Sequence, residues 1–123
     1  MAQKILVIDD DLFIREIYEE VIKNAGYEAD LAINGEEGVR KLQIGGYSLT
    51  LLDMNMPGIN GLEVLDKVHD NPPGSANGPI ILLSNSADDS VLKEALRKGA
   101  TTYFIKSDLT PDQLSNNIKK ILD

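Results

Sequence analysis

Apolar residues along the chain alternate between two spacings. Lys4-Ile-Leu-Val-Ile8 is a short run rich in β-branched residues and predicts a strand. Ile14, Ile17, Tyr18, Val21, Ile22 and Ala25 then recur at helical spacing, which predicts a helix over 11–25 that stops at Gly26. This core stripe leaves out Leu12 and Phe13. A weaker strand is expected over 27–32. Asn34 reads as the N-cap of a second helix, with Glu36 and Glu37 suited to its positive start, ending near Ile44 before Gly45-Gly46. Strands are expected over 47–52, 80–83 and 101–105, and helices over 61–70 and 88–98. Thr110-Pro111 supplies an N-cap and an N1 proline for a last helix running to Leu122. Residues 71–79, Asn-Pro-Pro-Gly-Ser-Ala-Asn-Gly-Pro, read as a surface loop.

Five strand–helix units in strict alternation predict an α/β fold with a parallel sheet and helices on both faces. The nearly continuous apolar strands fit a sheet buried on both sides. The polar residues that follow each strand set the strand order. The first strand runs into Asp9-Asp10-Asp11, the third into Asp53, the fourth into Ser84 and the fifth into Lys106. The second runs into Ala32-Ile33, with nothing reactive. Ligands of open α/β sheets bind beyond the C-terminal strand ends, where strand order reverses. The simplest arrangement puts the second strand outside and the first and third side by side. That is the order 2-1-3-4-5, with right-handed crossovers placing five helices in a three-layer sandwich.

In this order Asp9, Asp10 and Asp53 share one crevice. Three carboxylates repel one another, and a divalent cation relieves that repulsion; hard oxygen ligands suit Mg²⁺. Lys106 adds an ammonium and Ser84 a hydroxyl. A carboxylate nucleophile, a metal, an ammonium and a hydroxyl are the parts of a phosphoryl transfer to a carboxylate. Taken singly, each residue has a plainer reading as a cap, a turn or a solvated side chain, and Asp11 is expected to be the N-cap of the first helix. Their joint placement carries the argument. Asp53 is the hardest to explain otherwise, because it ends an apolar run that should be buried.

Composition narrows the field further. The chain has 123 residues, with 42% hydrophobic and 26% charged, as expected for one globular domain spanning 1–123. Twenty acidic residues against twelve basic give a net charge of −8, which argues against direct nucleic-acid binding. There is no cysteine, and His69 is the only histidine, so thiolate, disulfide and multi-histidine metal chemistry are excluded. No apolar run reaches membrane-spanning length, and the start has no signal-peptide pattern, so a cytoplasmic location is expected.

These motifs together resemble the receiver domain of two-component response regulators, of the chemotaxis-regulator type. The resemblance covers essentially the whole chain. It rests on Ile5-Leu-Val-Ile-Asp-Asp-Asp11, on Leu51-Leu-Asp-Met-Asn-Met-Pro-Gly58 with Asn60-Gly61-Leu62, on Ile80-Ile-Leu-Leu-Ser84, and on Gly99-Ala100 through Tyr103 to Lys106. It implies the flavodoxin-like receiver fold and a phosphorelay role: Asp53 takes a phosphoryl group from a sensor histidine kinase or a histidine phosphotransfer protein. By the same resemblance Asp9, Asp10, Asp53 and the backbone carbonyl of Asn55 hold Mg²⁺ (or Mn²⁺). Lys106 and Ser84 contact the phosphoryl group, Tyr103 turns inward as Ser84 moves, and Pro57 and Gly58 shape the loop after the acceptor. The chain is then a switch that catalyses its own phosphorylation and dephosphorylation, not an enzyme with a separate substrate. An output partner or domain is implied.

Three features depart from the family pattern. Ser107 follows Lys106 where proline is usual, so a trans peptide is expected there. Asn85 follows Ser84 where a small residue is more common, and its amide is expected to crowd the phosphoryl group. The chain ends right after the fifth helix, which suits either a single-domain regulator or a receiver cut from a longer protein. Leu12 and Phe13 are candidates for docking the kinase. Mixed charges around Lys93, Arg97, Lys98, Asp108, Asp112, Asn116 and Lys119 suit a phosphorylation-dependent homodimer, though a solvated face is the plainer reading. A dehalogenase-type phosphatase would carry Asp-x-Asp after the first strand and a substrate cap. A pure interaction module would not need the intact set Asp10, Asp53, Ser84 and Lys106. Nucleotide binding lacks a glycine-rich loop after the first strand, and flavin phosphate would meet three carboxylates.

Overall fold

A computed structural model describes residues 3–86 and 88–123; Met1, Ala2 and Ala87 lie outside the described residues. In chain order the elements are β1 (Lys4–Ile8), α1 (Leu12–Asn24), β2 (Glu28–Ala32), α2 (Gly35–Ile44), β3 (Leu49–Asp53), α3 (Gly61–Asp70), β4 (Ile80–Ser84), α4 (Asp89–Arg97), β5 (Thr102–Ile105), a 3-10 turn (Lys106–Asp108) and α5 (Pro111–Leu122). The strands form one parallel sheet in the order β2-β1-β3-β4-β5, as the polar strand ends predicted.

The two-residue period of the strands sorts the core into two layers. Ile5, Val7, Leu49, Leu51, Ile81 and Leu83 face Tyr18 and Ile22 of α1 and Leu114 and Ile118 of α5. Leu6, Ile8, Leu52 and Leu82 face Val39 and Leu42 of α2, Val64 and Leu65 of α3, and Leu92 and Ala95 of α4. Caps fix the helix starts. Asp11 caps α1 as expected, Asn34 caps α2, and Asn60 and Thr110 form reciprocal capping boxes with Glu63 and Gln113.

Two expectations are corrected. Ile17 was placed in the buried stripe of α1 but is exposed. It sits one position off the line through Ile14, Tyr18 and Ile22, the residues that meet the sheet. β3 begins at Leu49 rather than Tyr47 because the loop over 71–79 takes the Tyr47 backbone. Asn77 Oδ1 accepts from Tyr47 N at 3.2 Å, and Gly78 N donates to Tyr47 O at 2.7 Å. The same loop closes the end of α2. Gly74 N donates to Gln43 O at 2.9 Å, Ser75 N to Ile44 O at 3.2 Å, and Asn77 Nδ2 to Leu42 O at 3.0 Å. Three carbonyls that a helix end leaves without intrahelical partners are thus satisfied by a segment some thirty residues further on. Gly45 permits the approach. Its φ is +83°, and a Cβ there would drive into the Ser75 carbonyl.

Candidate functional site

β1 and β3 are neighbours, so the residues at their C-terminal ends converge where the chain's crossovers change direction. Asp9 directly follows β1 and is fully buried; Asp53 ends β3 and is also buried. Asp10 is exposed beside them. Oxygens of the three carboxylates lie within 4.8 Å of one another, and no other such cluster occurs among the described residues. β5 delivers Lys106 from the far side. Its Nζ donates to Asp9 Oδ2 at 2.8 Å and stands 3.1 Å from Asp53 Oδ1. Asp53 Oδ1 also accepts from the Asn55 backbone N–H at 3.1 Å.

This environment sets the charge states. Burial and the neighbouring negative charge of Asp9 push the Asp53 pKa up to about 6, against the opposing pull of Lys106 and the Asn55 N–H. Asp53 therefore carries its charge less comfortably than an exposed carboxylate. Burial tends to lower the Lys106 pKa, yet its ties to Asp9 and Asp53 win and hold it above the ordinary lysine value. The centre thus pairs a strained carboxylate with a committed ammonium.

The remaining predicted residues are placed differently. Ser84 ends β4 and is buried, but its hydroxyl is engaged with its own loop. It donates to Ser86 O at 2.6 Å and accepts from Ser86 N at 3.3 Å. Tyr103 on β5 is 36% exposed, on the outer edge of the sheet. Pro57 and Gly58 are exposed in the turn between β3 and α3, where Gly58 takes φ +79° against the Glu36 carboxylate. Asn55 is exposed on the same turn. Ser107 lies in the 3-10 turn, and no cis peptide occurs among the described residues, as expected for serine after Lys106. Leu12 and Phe13 project from the first turn of α1, Phe13 being 73% exposed.

Two residues near the centre escaped the sequence reading. Tyr18 was assigned only to the core. Burial raises its phenol pKa, and the charges of Lys106, Asp9 and Asp53 also act on it. Arg15 Nη1 donates to the Asp9 backbone carbonyl at 2.9 Å. The available signal was a lone cation in the first turns of a helix that begins beside three aspartates.

A doubly wound α/β sheet with a buried carboxylate, two more acids and a lysine at its switch point defines a class of phosphoacceptor proteins. The model of the response regulator receiver domain matches residues 5–119, and the chain belongs to that family. Its members are phosphoacceptor domains of two-component signalling, and this chain is one of them. Transcriptional regulatory protein CrdR of Helicobacter pylori is 31% identical across 100% of this chain and 56% of its own length, so the chain spans about half of that relative. Sporulation initiation phosphotransferase F of Bacillus subtilis is 32% identical over 99% of this chain and 95% of its own. Among solved structures, the response regulator TrrA of Thermotoga maritima in complex with Mg²⁺-BeF matches with a TM-score of 0.79 and 38% identity, covering 98% of this chain and 99% of that one.

Proposed function

We propose that Asp53 is the phosphoacceptor and that the chain switches conformation when it is phosphorylated. The bridge from Lys106 to both Asp9 and Asp53 carries this reading. It fixes an ammonium beside Asp53, a buried carboxylate that burial and the charge of Asp9 destabilise as an anion. In the proposed step an Asp53 carboxylate oxygen attacks the phosphorus of a phosphohistidine. A P–O bond forms, the P–N bond breaks, and the histidine nitrogen leaves with the electron pair. Lys106 neutralises charge on the phosphoryl oxygens. Hydrolysis by water returns the Asp53 carboxylate and releases inorganic phosphate. Both steps use only the chain's own site, so the domain catalyses its own phosphorylation and dephosphorylation.

The converging carboxylates are a hard-oxygen donor set and fit Mg²⁺ or Mn²⁺. Asp9, Asp10, Asp53 and the backbone carbonyl of Asn55 would hold the ion, which when bound neutralises the clustered acids and the incoming phosphoryl oxygens. The Mg²⁺-BeF complex of TrrA supports this assignment. Ser84 gives up its Ser86 contacts to hydrogen-bond the phosphoryl group, and Tyr103 turns inward from its exposed position. Pro57 and Gly58 shape the acceptor loop. Asn85, exposed beside Ser84, crowds the group and slows its transfer or hydrolysis.

The phosphodonor, a sensor histidine kinase or histidine phosphotransfer protein, docks on Leu12 and Phe13. Next to them Ile17, Val21 and Pro111 line a groove between α1 and α5. The output is a partner protein, a further domain or a phosphorylation-dependent homodimer. We assign the whole span 1–123 to one receiver domain acting in the cytoplasm, without direct contact to nucleic acid or membrane. Among the described residues no helix is long and apolar enough to cross a membrane. Intact-mass spectrometry after incubation with acetyl phosphate tests the reading. One phosphoryl adduct is expected with Mg²⁺, and none without it or in Asp53→Asn. An adduct of equal yield in Asp53→Asn would reject Asp53 as the acceptor.

A further inference from the structure

The turn between β1 and α1 carries three consecutive aspartates that do three different jobs. Asp11 is spent on the helix, accepting from Phe13 N at 2.9 Å and Ile14 N at 3.4 Å. Asp9 is saturated. Its N–H donates to Ala32 O at 3.1 Å, Oδ1 accepts from Asp11 N at 2.9 Å, and Oδ2 accepts from Lys106 Nζ at 2.8 Å. Its carbonyl oxygen accepts from Arg15 Nη1 at 2.9 Å. Asp10, exposed between them, has no comparable side-chain tie among the described residues. What aims Asp10 is therefore the peptide on its N-terminal side, the Asp9–Asp10 unit. That unit is planar, so tying its carbonyl oxygen limits how the plane can turn, and with it the base from which the Asp10 side chain leaves.

We propose that Arg15 is a positioning residue for the divalent-cation site. By clamping the Asp9 carbonyl it holds the Asp9–Asp10 peptide in the orientation that brings the Asp10 carboxylate beside Asp9 and Asp53. The inference rests on the reading that these three acids hold Mg²⁺. Two effects of Arg15 oppose each other, which makes the inference sharp. A guanidinium near three carboxylates repels a second cation, so its charge alone weakens Mg²⁺ binding. Its hydrogen bond acts through geometry and strengthens it. The bond is charge-assisted and partly shielded from solvent, conditions in which supporting contacts around a metal site change affinity by an order of magnitude. Removing Arg15 therefore moves the affinity one way if it acts by charge and the other way if it acts by position.

The experiment is calorimetric titration of Mg²⁺ into the wild-type chain, Arg15→Met and Arg15→Lys, with circular dichroism and the melting temperature of each metal-free protein alongside. Arg15→Met is expected to weaken Mg²⁺ binding about 10-fold, despite the loss of a repelling charge. Arg15→Lys keeps a long cationic donor and is expected to stay within about 3-fold of wild type. In amide NMR spectra of the metal-free proteins, Asp10 and Asp11 should shift in Arg15→Met while the β3 and β4 amides stay in place. Should Arg15→Met fail to fold, Arg15→Gln serves in its place with the same expectation, because its amide is too short to reach the Asp9 carbonyl. Binding as tight as wild type, or tighter, in a folded uncharged variant overturns the inference. So does a loss that Arg15→Lys does not relieve, which would trace the effect to packing. If the wild-type chain itself takes up no Mg²⁺, the cation-site reading fails first and the role of Arg15 goes with it.

Discussion

At the scale of single residues, the buried polar groups separate into those the fold uses and one it does not. Asp9, Asp53 and Ser84 are buried and engaged in hydrogen bonds. Thr50 in β3 is fully buried, and its hydroxyl is the one buried side-chain polar atom without a hydrogen-bond partner among the described residues. By strand parity it faces the α2–α4 layer with Leu52. An unpaired buried hydroxyl costs about 1–3 kcal/mol, and valine has nearly the same shape without it. Thr50→Val is therefore expected to stabilise the protein by about 1 kcal/mol, read as a rise of about 3–5 °C in melting temperature. A lower melting temperature would mean that the hydroxyl has a partner after all. Asp53, Lys106 and the Asp9–Asp10 pair were legible in the sequence because the derived strand order brings them to one sheet edge, although each taken singly has a plainer reading. The states of Ser84 and Tyr103 were not. Which way a hydroxyl or a ring points depends on neighbours several residues away, and the hydroxyl here has settled on the Ser86 carbonyl.

Between elements, the β2–α2–β3 corner is held by a polar cross-link of its own. Lys41 Nζ donates to Asp30 Oδ1 at 2.8 Å and to Leu31 O at 2.7 Å, and Tyr47 OH donates to Asp30 Oδ2 at 2.6 Å. Burial tends to raise the Asp30 pKa, but the hydrogen bonds from Lys41 and Tyr47 outweigh it, and the net shift is downward. A carboxylate depressed in the folded state stabilises the fold fully above its unfolded value of about 3.9, and that contribution fades as pH falls through the folded value. Asp30→Asn should thus lower the melting temperature at pH 7, with the gap to wild type closing as pH drops below about 4. Because the pair is partly exposed, solvent screening limits the effect to about 1 kcal/mol. A gap independent of pH would show that packing, not charge, is lost. The far end of the same helix makes a harder demand. Gly45→Ala places a Cβ against the Ser75 carbonyl at a positive φ, and is expected to cost about 2 kcal/mol or more in chemical denaturation. Helix starts were readable from Asp11, Asn34 and Thr110-Pro111, since capping is local chemistry. The partner of the α2 C-terminus was not, because it comes from residues 74–77, and nothing in the spacing ties Gly45 to Ser75.

For the molecule as a whole, the sequence order of strands and the polar residues after them were enough to derive the sheet order and the edge that bears chemistry. What stayed hidden lies mostly at the opposite edge, where the segment 71–79 looked like an ordinary connection. Its backbone donors bind α2 and the approach to β3, so this end of the protein is cross-braced. Native-state hydrogen exchange should expose the brace. The amides of Gly74, Ser75 and Gly78, though outside regular secondary structure, are expected to exchange slowly and together with the last turn of α2. The amides around Asn85 and Ser86 should exchange far faster. Rapid, independent exchange at Gly74 and Ser75 would show that the brace opens on its own. If it does not, the connection is a permanent part of one cooperative unfolding unit. Lengthening it would then loosen α2, and a cut within it would unravel the helix before it freed the strand that follows.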